Sequence, residues 1–188
     1  MLIALYHAAL DIQRFCEQRA WQFCFIGGLA IQRWGEPRFT HDADLTLLTR
    51  FDDEKFVDPL LATFPGRRPD AREFALRARV LLLRHPSGLG IDIALGGFPF
   101  EEASIARSTL WHAAEGCDLR LCSAEDLIVH KAFAAREKDW LDIEGILQRQ
   151  GRQLDLPLIE RELAPLLALK EQPEHLGRLR QLIARHIP

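Results

Sequence analysis

Residues 26–47 read IGGLAIQRWGEPRFTHDADLTL, and the fold turns on this stretch. The WQFCFI run that leads into it, at 21–26, is aromatic and stiff enough for a short buried strand. Gly27-Gly28 stops that strand, LAIQRW follows as a short helix, and Gly35 and Pro37 end the helix. ADLTLLT, at 43–49, then reads as a second strand with Asp44 at its start. A strand that passes through a double glycine into a helix leaves backbone amides exposed at the helix start. No Cβ there blocks phosphate oxygens, although a tight turn explains the pair equally well. Asp42 and Asp44 flank Ala43, so at a strand period of two both carboxylates face one side and can share a cation. The plainer alternative for the two acids is a solvated strand start.

Upstream, Leu2, Leu5, Ala9, Ile12, Phe15 and Cys16 recur at helical spacing and predict a first helix over 2–20. MLIALYHAAL is apolar without a basic leader, so the stretch is expected to be an amphipathic helix rather than a signal peptide. Downstream, 52–64 reads as a helix opened by acidic residues, with Pro59 inside it to shorten or kink it, and PGRRPD at 65–70 as a turn. EFALRARVLLLRH at 73–85 and GIDIALG at 90–96 read as two or three further strands, with PSGLG at 86–90 as a hairpin-like connection. The total is four or five strands with helices, too short for a full doubly wound dinucleotide fold. Asp92, between Ile91 and Ile93, faces away from its apolar neighbours. If its strand lies beside the one beginning at Ala43, three carboxylates converge. That is a hard-oxygen set suited to Mg²⁺ (or Mn²⁺) on a nucleotide's phosphates, and one able to orient and deprotonate an attacking hydroxyl.

Beyond Gly96-Gly97 the character changes. A short helix lies within 98–109, CDLRLC at 117–122 is an edge-strand candidate, and Ser123 opens a helix with an acidic residue three positions in. Helices are then expected over 124–136, 139–150, 156–169 and 173–186. These readings give a 1–122 α/β core and a 123–188 helical part packed on it.

The composition narrows the class. The 188 residues are 48% hydrophobic and 27% charged, which suits a folded globular chain. With 24 Lys plus Arg against 27 Asp plus Glu, the net charge of −3 argues against a dedicated duplex-binding protein. Cys16, Cys24, Cys117 and Cys122 form neither a disulfide framework nor a CxxC pair. No stretch has the 18 uncharged apolar residues of a membrane span, and the expected compartment is the cytoplasm.

GG followed by DAD, with an isolated strand Asp downstream, resembles the nucleotidyltransferase superfamily related to DNA polymerase beta. In particular it resembles the small AbiEii-like toxin and minimal nucleotidyltransferase branch. The resemblance implies a small α+β mixed-sheet nucleotidyltransferase fold with C-terminal helices. It makes Gly27 and Gly28 phosphate contacts, Asp42 and Asp44 paired metal ligands, and Asp92 the third carboxylate and activator of the hydroxyl. A second stretch, SAEDLIVHKAFAAREKDWLDIEGIL at 123–147, looks like the segment in which such proteins carry a Lys, a downstream Arg and a Lys-Asp pair followed by Asp. Lys131, Arg136, Lys138, Asp139 and Asp142 stand in those positions.

Read for its chemistry alone, the second stretch offers Lys131 and Arg136 as cations for a triphosphate's outer phosphates. Lys138, Asp139 and Asp142 are also spaced for ion pairs on or between helices. Arg38, Thr40 and His41 precede the acid pair and could support the nucleotide or position the loop. Six arginines between 67 and 84 oppose only Asp70 and Glu73. On a strand, Arg77 and Arg79 would share a face and could meet the phosphates of an acceptor, or simply form a solvated sheet face.

The expected activity is Mg²⁺-dependent transfer of an NMP from an NTP to an acceptor hydroxyl. The resemblance implies RNA as an acceptor and a protein antitoxin as a partner. An antibiotic- or protein-modifying transferase and a non-catalytic partner-binding module are the alternatives.

Overall fold

The computed structural model describes residues 2–51 and 53–187. Asp52, the first residue of the helix expected over 52–64, lies outside the described residues. The chain divides into two units, one of Met1–Leu29 and Phe39–Cys122, the other of Ala30–Arg38 and Ser123–Pro188.

The first unit begins with α1 (Leu2–Glu17), β1 (Phe23–Phe25) and the start of α2 (Gly27–Trp34). It resumes with β2 (Asp42–Leu48), α3 (Glu54–Thr63), α4 (Ala71–Ala78), β3 (Val80–Arg84) and β4 (Gly90–Gly96). It ends with α5 (Pro99–Arg107), β5 (Thr109–Ala114) and β6 (Cys117–Leu121). The strands form a six-stranded mixed sheet in the order β3-β4-β2-β1-β6-β5. β2 runs parallel to β4, and β1 parallel to β6; the other neighbours are antiparallel. The α+β class with a mixed sheet is the one expected.

Strand parity sorts the side chains. Ala43, Leu45 and Leu47 of β2, Ile91, Ile93 and Leu95 of β4, and Leu81 and Leu83 of β3 are buried. They join Leu5, Ile12 and Phe15 of α1 and Phe56, Val57 and Leu60 of α3 in one core cluster. Burying each such side chain is worth about 1.5–3 kcal/mol, so a one-residue slip of β2 would cost far more than any polar contact could return. The alternate residues Asp42, Asp44, Asp92 and Leu82 therefore belong to the opposite face and remain partly open.

Three expectations change. Residues 71–78 are helix α4, where a strand was expected from 73, so Arg77 and Arg79 do not share a strand face. Ala71 and Ala75 are the buried positions of that helix, and their four-residue spacing is helical. Arg79 follows the helix as a left-handed cap with φ of 59°. β5 has no counterpart in the sequence reading, and β5, not β6, forms the edge of the sheet. Pro59 is accommodated within α3.

The second unit contains the rest of α2, then α6 (Ala124–Ala134), α7 (Glu137–Gln150), a 3₁₀ turn (Gly151–Gln153), α8 (Leu156–Leu169) and α9 (Glu174–His186). Ser123 caps α6 by accepting from the Asp126 amide at 3.1 Å. Leu127 and Ile128, Ile143 and Ile146, Ile159 and Leu163, and Leu179 fill its core. Residues 30–38 are held to α7 by Gln150, whose side-chain amide donates to the Trp34 carbonyl at 2.9 Å, and by Arg149 on the Gly35 carbonyl. Among the described residues no helix is long and apolar enough to cross a membrane.

Candidate functional site

In the first unit the exposed face of the β2–β4 pair carries the three carboxylates. The parallel register sets Asp44 directly opposite Asp92, and Asp42 opposite Gly90. Neighbouring strands lie about 4.8 Å apart, so register alone brings the acids of Asp44 and Asp92 within reach of a common cation. Gly90 has no side chain, and a Cβ there would strike the Asp42 carboxylate and come within 2.8 Å of an Arg67 nitrogen.

The cation present among them is Arg67. Its Nη1 donates to Asp42 Oδ1 at 3.4 Å, and its Nη2 is paired with Asp92 Oδ1. Burial pushes the Asp92 carboxyl up, and the Asp44 and Asp42 charges push the same way; Arg67 opposes them, leaving the pKa at about 6. Among the described residues no group of three or more His, Cys, Asp or Glu side chains is gathered tightly enough to hold an ion, and Arg67 spans the space between two of these acids. The donors themselves are carboxylate oxygens, the kind Mg²⁺ and Mn²⁺ take.

The double glycine packs directly on this site. Gly27 has φ of 59°, a left-handed conformation, and a Cβ there would overlap the Asp44 carboxylate. A Cβ on Gly28 would overlap the Thr40 side chain in the same way. The Gly28 amide donates to Asp44 Oδ2 at 3.3 Å. The first turn of α2 thus lies against the Asp44 carboxylate, and Thr40 fills the space beside Gly28. His41 is exposed and pairs edge-on with the exposed Phe39 ring, 4.3 Å between centroids.

In the second unit a separate polar cluster is buried. Lys131 Nζ lies 2.9 Å from Asp139 Oδ1 and 2.7 Å from Asp142 Oδ2. Arg38 holds Asp142 with both arms of its guanidinium, at 2.6 and 2.8 Å, and Arg136 Nε holds Asp139 at 2.6 Å. Burial raises the pKa of each aspartate, but hydrogen bonds from Arg136 and Lys131 on Asp139, and from Arg38 and Lys131 on Asp142, outweigh it. Both stay below the usual carboxylate range. Lys131 sits at 5% exposure in this cluster, whereas Lys138 is exposed at the start of α7. The expected site residues therefore fall into two groups. Gly27, Gly28, Thr40, His41, Asp42, Asp44 and Asp92 lie in the first unit, and Arg38, Lys131, Arg136, Lys138, Asp139 and Asp142 in the second.

The arginine-rich segment is largely compensated. Arg68 pairs with Asp70, Arg72 with Asp58, and Arg79 with buried Asp53 and the Leu95 carbonyl. Arg79, read as a contact for an acceptor or part of a solvated sheet face, instead clasps the turn after β2; Arg77 is exposed on α4. Sequence reading missed Arg67 and Gly90 as site residues. The signal for Gly90 was its place two residues before Asp92, where the 86–90 connection passes into the 90–96 strand.

A family model described as Nucleotidyl transferase AbiEii toxin, Type IV TA system, matches residues 13–186. Among solved structures, an antigenic nucleotidyltransferase-like protein from Paracoccidioides brasiliensis aligns over 94% of this chain and 92% of its own, at 17% identity and TM-score 0.54. The solution structure of the antibiotic-resistance factor ANT(2'')-Ia aligns over 94% of this chain and 97% of its own, at 20% identity and TM-score 0.55. At these identities the likeness is one of fold. No curated protein gives a significant match.

Proposed function

The chain belongs to the AbiEii nucleotidyl transferase toxin family, and from that premise we propose that Asp42, Asp44 and Asp92 hold Mg²⁺ and an NTP while its NMP passes to an RNA hydroxyl. The observation that carries this reading is the register of β2 on β4, which sets Asp44 opposite Asp92 beside Asp42 on one open sheet face. The donor set fits a hard divalent cation, and a guanidinium already bridges two of its members. Mg²⁺ bound there would neutralise the phosphates and the charge that develops on the leaving pyrophosphate.

The chain's own groups do the remaining work. Asp92, set opposite Asp44 on the sheet, is placed to accept the proton of the attacking hydroxyl. Asp44 is fixed in orientation by the Gly28 amide, and the missing side chains at Gly27 and Gly28 let the Asp44 carboxylate and Thr40 pack directly against that turn. The hydroxyl oxygen bonds to the α-phosphorus as the bond to the β-phosphate oxygen breaks, the proton passes to Asp92, and pyrophosphate leaves.

An anionic acceptor is favoured by Arg84. It is exposed and occupies the register row of Gly90 and Asp42, so it flanks the acids on the same sheet face. A protein antitoxin is the partner that the family description implies. The test is incubation with each α-labelled NTP and Mg²⁺ in the presence of total RNA, protein lysate or small hydroxyl compounds. Label in RNA, reduced severalfold by Arg84→Ala, supports the reading; label confined to protein or to small molecules overturns the acceptor.

A further inference from the structure

Arg67 is delivered to the carboxylates from a backbone that is itself part of the sheet edge. Gly66 bridges Leu83, the Arg67 amide donates to the Leu82 carbonyl at 2.9 Å, and the Arg84 amide donates to the Pro65 carbonyl at 2.8 Å. Leu82 is the register partner of Asp92, so Arg67, Leu82, Asp92 and Asp44 form one row across the sheet. The guanidinium reaches over Leu82 to engage Asp92 and Asp42 at once. Its Nε is buried without a hydrogen-bond partner among the described residues, so this pose leaves a donor unsatisfied.

Resting on the metal reading above, we infer that Arg67 is an internal counter-cation, a positioning residue that gathers Asp42 and Asp92 in the metal-free protein and yields those oxygens when a divalent cation binds. The oxygens it engages belong to the proposed ligands, so guanidinium and metal compete for the same atoms. Three neighbouring acids without any cation would repel one another, which gives the arginine its place before loading. The orphan Nε makes its release less costly. A cation that must displace an internal competitor shows a weakened apparent affinity.

The probe is Mn²⁺ without nucleotide, titrated by calorimetry and followed by its electron paramagnetic resonance signal. Wild type, Arg67→Met, Arg67→Lys and Asp44→Asn are compared, with melting in EDTA and in Mn²⁺. Arg67→Met is expected to bind Mn²⁺ roughly tenfold more tightly than wild type. It should also melt lower in EDTA and recover the difference as Mn²⁺ is added. Arg67→Lys, a compact charge unable to span two carboxylates, should fall between them and carries the comparison if Arg67→Met does not fold. If Asp44→Asn loses Mn²⁺ while the Arg67 variants bind it as wild type does, the inference fails and the metal reading stands. If Asp44→Asn binds as wild type does, the metal reading fails and takes the inference with it.

Discussion

Lys131 shows how far a side chain's role depends on what surrounds it. On the sequence it is a basic residue on a helix, suited to a phosphate; in the fold its ammonium is buried against two aspartates. Removing the charge leaves Asp139 and Asp142 with less compensation in a low-dielectric setting, which costs about 3–5 kcal/mol. Lys131→Met is therefore expected to lower the stability of the folded chain by that order, read by urea denaturation under circular dichroism; an unchanged midpoint would show the cluster to be dispensable. Gly28 makes the opposite case, because its value lies in having no side chain. Gly28→Ala would push a methyl into Thr40 and shift the turn that orients Asp44. Transfer activity should fall by at least tenfold, with partial recovery in Gly28→Ala/Thr40→Gly. The turn at the double glycine was legible at the sequence level, but its neighbours were not, since Asp44 meets it through the pairing of β1 with β2 and Thr40 through the segment that leads into β2.

At the scale of elements, helical and strand periods compete most closely at 71–84. FALRAR alternates like a strand, yet the buried alanines at 71 and 75 follow a helix, and α4 ends at the left-handed Arg79 before β3 begins. The guanidinium of Arg79 then compensates Asp53, whose side chain is only 7% exposed. Arg79→Ala should destabilise the first unit by several kcal/mol by stranding that carboxylate, whereas exposed Arg77→Ala should move stability by less than about 0.5 kcal/mol. Matched melting curves of the two variants decide this. β5 was illegible for a different reason: an edge strand with mostly exposed or half-exposed residues has no alternation of burial to leave in its sequence.

The pairing of α6 with α7 through Lys131, Asp139 and Asp142 also sets a pH dependence. Both aspartates titrate lower folded than unfolded, so their contribution is complete above the unfolded value of about 3.9. It is lost as pH falls through the lower folded values. Other groups act above this window: buried His130, held down to about 4, costs stability as pH falls from its ordinary 6.5, whereas Asp92, lifted to about 6, returns some over the same range. Acid titration by circular dichroism should therefore show wild type and Asp142→Asn running parallel down to about pH 4, with wild type falling more steeply below it; curves parallel throughout would remove Asp142 from the pH dependence.

For the molecule as a whole, the strand parity of Asp42 and Asp44 and the isolation of Asp92 were readable from residue order alone. What residue order does not contain is register, and register sets Asp92 opposite Asp44 and Gly90 opposite Asp42. Nor does it show that Arg67, which lies 25 residues from both Asp42 and Asp92, bridges the two. A contact between distant segments leaves no periodic trace, so the arginine looked like one of six in a basic strip. The most direct measurement of the account is transfer of label from α-labelled NTP to RNA by wild type and Asp44→Asn, with and without EDTA, on samples whose circular dichroism spectra match. The asparagine keeps an oxygen for the Gly28 amide and removes the charge, so the account predicts Mg²⁺-dependent labelling by wild type and a loss of at least a hundredfold in the variant. Labelling by Asp44→Asn at the wild-type rate, or labelling undiminished by EDTA, would contradict it.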